Sequence, residues 1–173
     1  MGIHRLNHAV VYVRDVDRSV AFYRDLLGFS VQMQRPGKAA FLQAPDSTND
    51  HDIGLFAIGD AADNPAGRGY VGLYHLGWEI GTLRELEQLA QRLVAAGAYV
   101  GATDHGTTKS IYARDPDGLE FEVAWLVPAD LLDDAAFEQR TRRGTPLDLG
   151  REMARYGADT RGGVGVSIAV ATS

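Results

Sequence analysis

Cysteine is absent from the 173 residues. That excludes disulfides and thiolate metal sites, so any bound metal must take His, Asp or Glu. No apolar run approaches the roughly 18 residues that span a bilayer. The opening MGIHRLNH has no signal-peptide apolar region, so the expectation is a cytoplasmic protein that does not enter membranes. Basic residues are in deficit, 17 against 23 acidic, for a net charge of −6. With no basic stripe, nucleic acid is not an expected partner. What is present is an ordinary globular composition, 45% hydrophobic and 23% charged. The length suffices to bury a core without staples, as one domain or one domain with a tail.

The chain repeats itself once. LNHAVVYV (residues 6–13) reads as a strand. Asp15 or Asp17 then caps a helix whose apolar positions are Val16, Val20, Tyr23 and Leu27, closed by Gly28. Strands FSVQMQR, AAFLQA and DIGLFAI follow, then a turn-rich linker, GDAADNPAGRG. The order restarts with the strand VGLYHLGWEI, a helix marked by Leu83, Leu86, Leu89 and Leu93, Gly97, and strands AYVGAT, KSIYARD and LEFEVAW. The pattern predicts an α+β protein of paired βαβββ units, about 3–58 and 70–126, in a domain over 1–126. Each unit leaves one sheet face bare, so the two should pair and enclose a space. Residues 127–173 form a C-terminal extension with two weak helical patterns and an unpatterned, loosely ordered end.

Strand alternation sorts the histidines. His8 and His75 occupy equivalent places in the two repeats. Tyr74, Leu76, Trp78 and Ile80 form an apolar face suited to packing under a helix, and His75 lies opposite. In the last strand Phe121, Val123 and Trp125 form the apolar face, opposite Glu120 and Glu122. Two histidines and a carboxylate on rigid strands suit one face of an octahedral metal, leaving three positions open, as in non-haem Fe(II) oxygenases. A lone strand histidine is more commonly a hydrogen-bonded core or surface residue. His105 beside Gly106 reads equally as an exposed loop residue, and Tyr112 as ordinary strand packing.

The paired units, NHAVVYVRDVDRSVAFYRDLLGF near the start and YARDPDGLEFEV near the end resemble the vicinal oxygen chelate superfamily. That superfamily includes glyoxalase I, bleomycin-resistance proteins and type I extradiol dioxygenases. The tail TPLDLGREMARYG is similar to tails on single-module catechol 2,3-dioxygenase-like proteins of bacteria. The resemblance implies His8, His75 and Glu122 as metal ligands. The fourth ligand of glyoxalase I, a glutamate, falls at Gly54, with Asp52 two residues away on the same face. By the same resemblance His51, in DHDIGLF, is a catalytic acid–base residue, and Asp50 replaces a preceding histidine. His105 and Tyr112 become catalytic pocket residues, with Tyr112 ten residues before Glu122.

The implied activity is an extradiol ring-cleaving dioxygenase of aromatic catabolism. It would use Fe(II), or alternatively Mn(II), with a catechol-type diol and O2 as small-molecule partners, in a homodimer or larger homo-oligomer. The alternatives are a glyoxalase I-like lyase or isomerase, disfavoured by Gly54, and a metal-free drug-binding protein, which has no need of the three ligand residues. Phe41, Phe56, Tyr70 and Trp78 are aromatic candidates for the pocket or the core.

Overall fold

The computed structural model describes residues 2–64 and 69–163. They fall into two compact units. One comprises Met1–Pro65 with Asp115–Leu119, and the other Ala66–Arg114 with Glu120–Ser173. The unpatterned end at 164–173 and part of the linker, 65–68, lie outside the described residues.

The first unit carries β1 (Ala9–Val13), α1 (Val16–Leu27), β2 (Ser30–Arg35), β3 (Ala39–Gln43) and β4 (Ile53–Ala57). Its sheet order is β1-β4-β3-β2, with β1 parallel to β4 and the other neighbours antiparallel. Asp15 caps α1 by accepting from the Asp17 and Arg18 amides, and Gly28 ends it at φ 78°, a left-handed conformation that glycine adopts without cost. Val16, Val20 and Tyr23 on α1 are buried, as are Leu42, Ile53 and Leu55 on β3 and β4.

The same unit holds the DPDG turn. The buried Asp115 accepts the Asp117 and Leu119 amides at 2.9 Å each and the Tyr23 hydroxyl at 3.3 Å. Arg14 and Arg18 reach Asp117 at 3.1 and 2.7 Å. Burial pushes the Asp115 carboxyl above its ordinary pKa, against the pull of those two amides. It pushes the Tyr23 hydroxyl up as well.

The second unit repeats the order with β5 (His75–Glu79), α2 (Leu83–Ala95), β6 (Tyr99–Asp104), β7 (Thr108–Arg114) and β8 (Glu120–Leu126). Its sheet runs β5-β8-β7-β6-β9, where β9 (Thr145–Pro146) comes from the C-terminal extension. Leu83, Leu86, Leu89 and Leu93 are the buried stripe of α2. Ile111, Phe121, Val123 and Trp125 are large buried apolar residues of the sheet, on β7 and β8.

The extension adds a short 3-10 turn (Ala129–Leu131), α3 (Asp134–Arg140) and α4 (Leu149–Tyr156). Through its described residues it is built into this unit. The Trp125 indole donates to the Thr160 carbonyl at 3.1 Å, and Arg84 pairs with Asp159 at 2.6 Å.

Two expectations are corrected. The strands anticipated from Leu6 and Val71 begin later, at Ala9 and His75. Both are edge strands whose single neighbour starts opposite them, at Ile53 and Glu120, so earlier residues have no ladder to join. Tyr74 is not under the helix. It lies ahead of β5, is 60% exposed, and sets its ring 4.7 Å from that of His75.

Candidate functional site

In the second unit, strand pairing brings four of the anticipated residues into one connected group. His75 opens β5, Glu122 lies on β8, Tyr112 stands directly opposite Glu122 on β7, and His105 sits in the turn between β6 and β7. His75 Nε2 lies 3.2 Å from Glu122 Oε2, and the Tyr112 hydroxyl donates to Glu122 Oε1 at 3.2 Å. His105 Nε2 lies 2.9 Å from the same hydroxyl. A phenol has one proton, and it is donated in the hydrogen bond to the carboxylate. Nε2 of His105 must therefore be the donor to Tyr112, which selects its tautomer. Burial, and then the Glu122 charge, push the Tyr112 hydroxyl well above its ordinary pKa, so it stays protonated at neutral pH.

The first unit pairs the other two anticipated site histidines, His8 and His51. The rings of His8 and His51 are 4.5 Å apart. His8 Nδ1 lies 2.7 Å from Asn7 Oδ1, and His51 Nδ1 lies 2.8 Å from Asp50 Oδ2. The carboxylate can only accept, so Nδ1 of His51 is the donor, and in the neutral ring Nε2 carries the lone pair. That nitrogen is buried and has no hydrogen-bond partner. Phe41 meets the His51 ring edge-on at 4.9 Å and Phe56 at 5.8 Å. Of the other aromatic candidates, Tyr70 is 68% exposed and Trp78 half-buried.

The repeat identifies the position at which the second unit has a carboxylate and the first has none. Gly77 pairs with Glu122 and Tyr112 opposes it. In the first unit Val10 pairs with Gly54 and Phe41 opposes it. Gly54 is thus the counterpart of Glu122, and a Cβ there would touch Phe41 and Val10 at 3.4 Å each. Asp52 does not substitute. Its Oδ2 accepts the Ala44 amide at 2.8 Å, and its Oδ1 accepts Ser47 Oγ at 2.8 Å and Asn49 Nδ2 at 2.7 Å, so it is spent on organising the loop before β4.

His75 and Glu122 fit a divalent metal. Two cis donors about 2.1 Å from one ion lie about 3 Å apart, and these lie 3.2 Å apart. The nitrogen and oxygen donors suit Fe(II) or Mn(II). Among the described residues no three His, Asp or Glu side chains form one metal-holding group, so these two donors stand as a pair. Asn7, Tyr74 and Gly144 were not anticipated at the site. Asn7 and Tyr74 carry only the signal of adjacency to a histidine, and Gly144 carries none.

The chain is 28% identical to a catechol-2,3-dioxygenase of Bacillus subtilis (strain 168) over 68% of its own length and 40% of that protein. It is 27% identical to a manganese-dependent 2,3-dihydroxybiphenyl 1,2-dioxygenase of Geobacillus genomosp. 3 over 72% of its own length and 38% of that protein. It therefore spans about two fifths of either enzyme. A crystal structure of lactoylglutathione lyase from Agrobacterium tumefaciens is 25% identical and superimposes with a TM-score of 0.54, over 72% of this chain and 95% of that one. Among the described residues no helix is long and apolar enough to cross a membrane. Residues 5–123 match the family model as a whole, and the chain belongs to the Glyoxalase/Bleomycin resistance protein/Dioxygenase superfamily.

Proposed function

We propose that the chain is a metal-dependent extradiol dioxygenase. It opens a catechol-type ring beside its diol, breaking one ring C–C bond and placing both atoms of O2 in a ring-opened semialdehyde or keto acid. The observation that carries this reading is the continuous chain His75–Glu122–Tyr112–His105 on one sheet. The proposed ligands are His75 and Glu122, together with His8, which is carried over from the family resemblance. Fe(II), or alternatively Mn(II), would lower the pKa of the diol oxygens and supply open positions for diol and O2.

The remaining roles belong to side chains. His51, with Nδ1 turned to Asp50 and a free Nε2, accepts a proton from the diol and later returns it. Tyr112 would donate to an oxygen atom that gains negative charge once Glu122, which holds its hydroxyl proton here, turns to the metal, and His105 would support it by donating from Nε2 to the Tyr112 oxygen. A carboxylate base for enediolate chemistry is lacking at Gly54, and Asp52 is committed to its loop. The active form is proposed to be a homo-oligomer, a reading supported by the exposed Val10 and Tyr12 on edge strand β1 and tested by light scattering.

The deciding experiment loads the apoprotein with Fe(II) without oxygen, adds a panel of catechols and admits air. The expected result is a yellow ring-opened product with matching oxygen uptake, lost in Glu122→Ala and His75→Ala. His51→Phe should lower kcat more than it raises KM. Retained turnover in Glu122→Ala, or no product with any catechol, overturns the reading.

A further inference from the structure

We propose that the C-terminal extension is a positioning element of the site, which holds His105 against Tyr112 with Gly144 as its contact point. The proposal rests on the reading above for what His105 does, but not for where His105 is held.

His105 lies in a turn whose backbone bonds are local, the His105 amide to the Thr108 carbonyl at 2.9 Å and the Thr107 amide to the His105 carbonyl at 3.1 Å. Such a turn leaves the ring free to swing, since neither bond touches the side chain. Three segments of the extension close around it. α3 lies against Gly106, where an added Cβ would run into the Ala136 carbonyl oxygen and come within 3.0 Å of the Arg140 amide nitrogen. Gly106 is at φ 82°, so both its conformation and its surroundings demand glycine. Gln139 donates to the Asp104 carbonyl at 3.1 Å and to Thr145 Oγ1 at 2.9 Å, joining α3, the turn and β9.

β9 pairs Thr145 with Asp104 and Pro146 with Thr103. That pairing lays Gly144 beside the His105 ring. A Cβ on Gly144 would collide with Thr103 Cγ2 and stand 3.0 Å from His105 Nδ1 and 3.2 Å from its Cε1.

The turn is anchored below as well. Asp104, 1% exposed, accepts the Gly106 amide at 2.8 Å and Lys109 Nζ at 2.6 Å, and Lys109 Nζ lies 3.1 Å from Glu152 on α4. His105 therefore has immobilised neighbours on both sides in sequence. Its Nδ1 edge faces Gly144 while its Nε2 meets Tyr112. Only a residue without a side chain lets β9 approach so closely, and that approach blocks the ring from turning away from the hydroxyl. A site group is held to working geometry by such surrounding contacts, not by its own rotamer alone.

The test is spectroscopic and uses no turnover, so failure of ring cleavage leaves its outcome unaffected. The full chain is labelled with 15N-histidine, and two-bond 1H–15N spectra report each imidazole's tautomer, with His105 assigned through His105→Gln. In the native chain His105 should show a single Nε2–H tautomer. Gly144→Ala should shift it to the averaged signal of a free imidazole, as Tyr112→Phe should, while the His8 and His51 signals stay in place. Gln139→Leu, which removes two hydrogen bonds and adds no bulk at the ring, should do the same and serves where Gly144→Ala does not fold. Arg84→Ala breaks a different tail contact, to Asp159, and should leave His105 unmoved. An unchanged His105 tautomer in folded Gly144→Ala or Gln139→Leu overturns the proposal. An equal shift in Arg84→Ala overturns it too, since any loosening of the tail would then suffice.

Discussion

Replacing Lys109 by Met should cost far more than a surface lysine would. Lys109 is 1% exposed, with Nζ 2.6 Å from Asp104 and 3.1 Å from Glu152, whose side chains are 2% and 1% exposed. Its Nζ also lies 5.5 Å from the Tyr156 ring centre. Met keeps most of the stem volume, so no large cavity opens and the cost is electrostatic. Two buried carboxylates would remain with Arg151, which reaches Asp104 at 3.3 Å and Glu152 at 2.8 Å from a side chain 59% exposed. Removing one partner of a buried pair typically costs about 3–5 kcal/mol. Arg151 offsets part of it, which places the loss near the lower bound, about 3 kcal/mol. At roughly 2–4 °C per kcal/mol for a protein of this size, Tm should fall by about 6–12 °C. Urea and thermal melts followed by circular dichroism read this directly. Adding Glu152→Gln removes one stranded charge, so the double variant should be more stable than Lys109→Met alone. A single-variant loss under about 1 kcal/mol, or a double variant no better than additive, would refute the account of a coupled buried network.

Two further predictions concern the core and the turn. Leu86→Ala, at a position 0% exposed in the stripe of α2, should cost about 2–5 kcal/mol in a urea melt, and a loss under about 1 kcal/mol would mean that the stripe is not the core. Asp115 has a raised pKa through burial. As pH falls through that value the folded chain binds a proton the unfolded chain does not, so this carboxyl's contribution to stability rises with falling pH. Asp115→Asn should keep the Oδ1 acceptor and remove that rise. Urea melts at pH 7 and at about pH 4, near the unfolded carboxylate value, should show the variant losing the wild-type gain, and an unchanged pH response would place the proton elsewhere.

Local signals carried most of the fold. Period-2 and period-3.6 patterns, the Asp15 cap and the glycines at 28 and 97 are properties of a few adjacent residues, and they marked both βαβββ units. The 67-residue offset from His8 to His75 revealed the repeat. The ten-residue spacing of Tyr112 and Glu122 marked only a family likeness, and antiparallel register is what turns that sequence distance into opposition and contact. β9 was not legible, since two residues without alternation become a strand only where β6 offers a free edge. Tyr74 misled for a related reason. Alternation assigns a face only while a ladder continues, and the ladder of β5 starts one residue later.

What the sequence by itself determined is the chemistry available: no thiolate, histidines at equivalent places in the two repeats, a carboxylate in the last strand, and glycine instead of a carboxylate at 54. The tertiary structure decided which of these groups meet. It joined His75, Glu122, Tyr112 and His105 by hydrogen-bonding distances, spent Asp52 on a loop, and set Gly144 of the extension against His105. Residues about forty positions apart in the chain meet there because a sheet edge and a buried lysine hold the extension in place, and no local pattern encodes a contact made by packing.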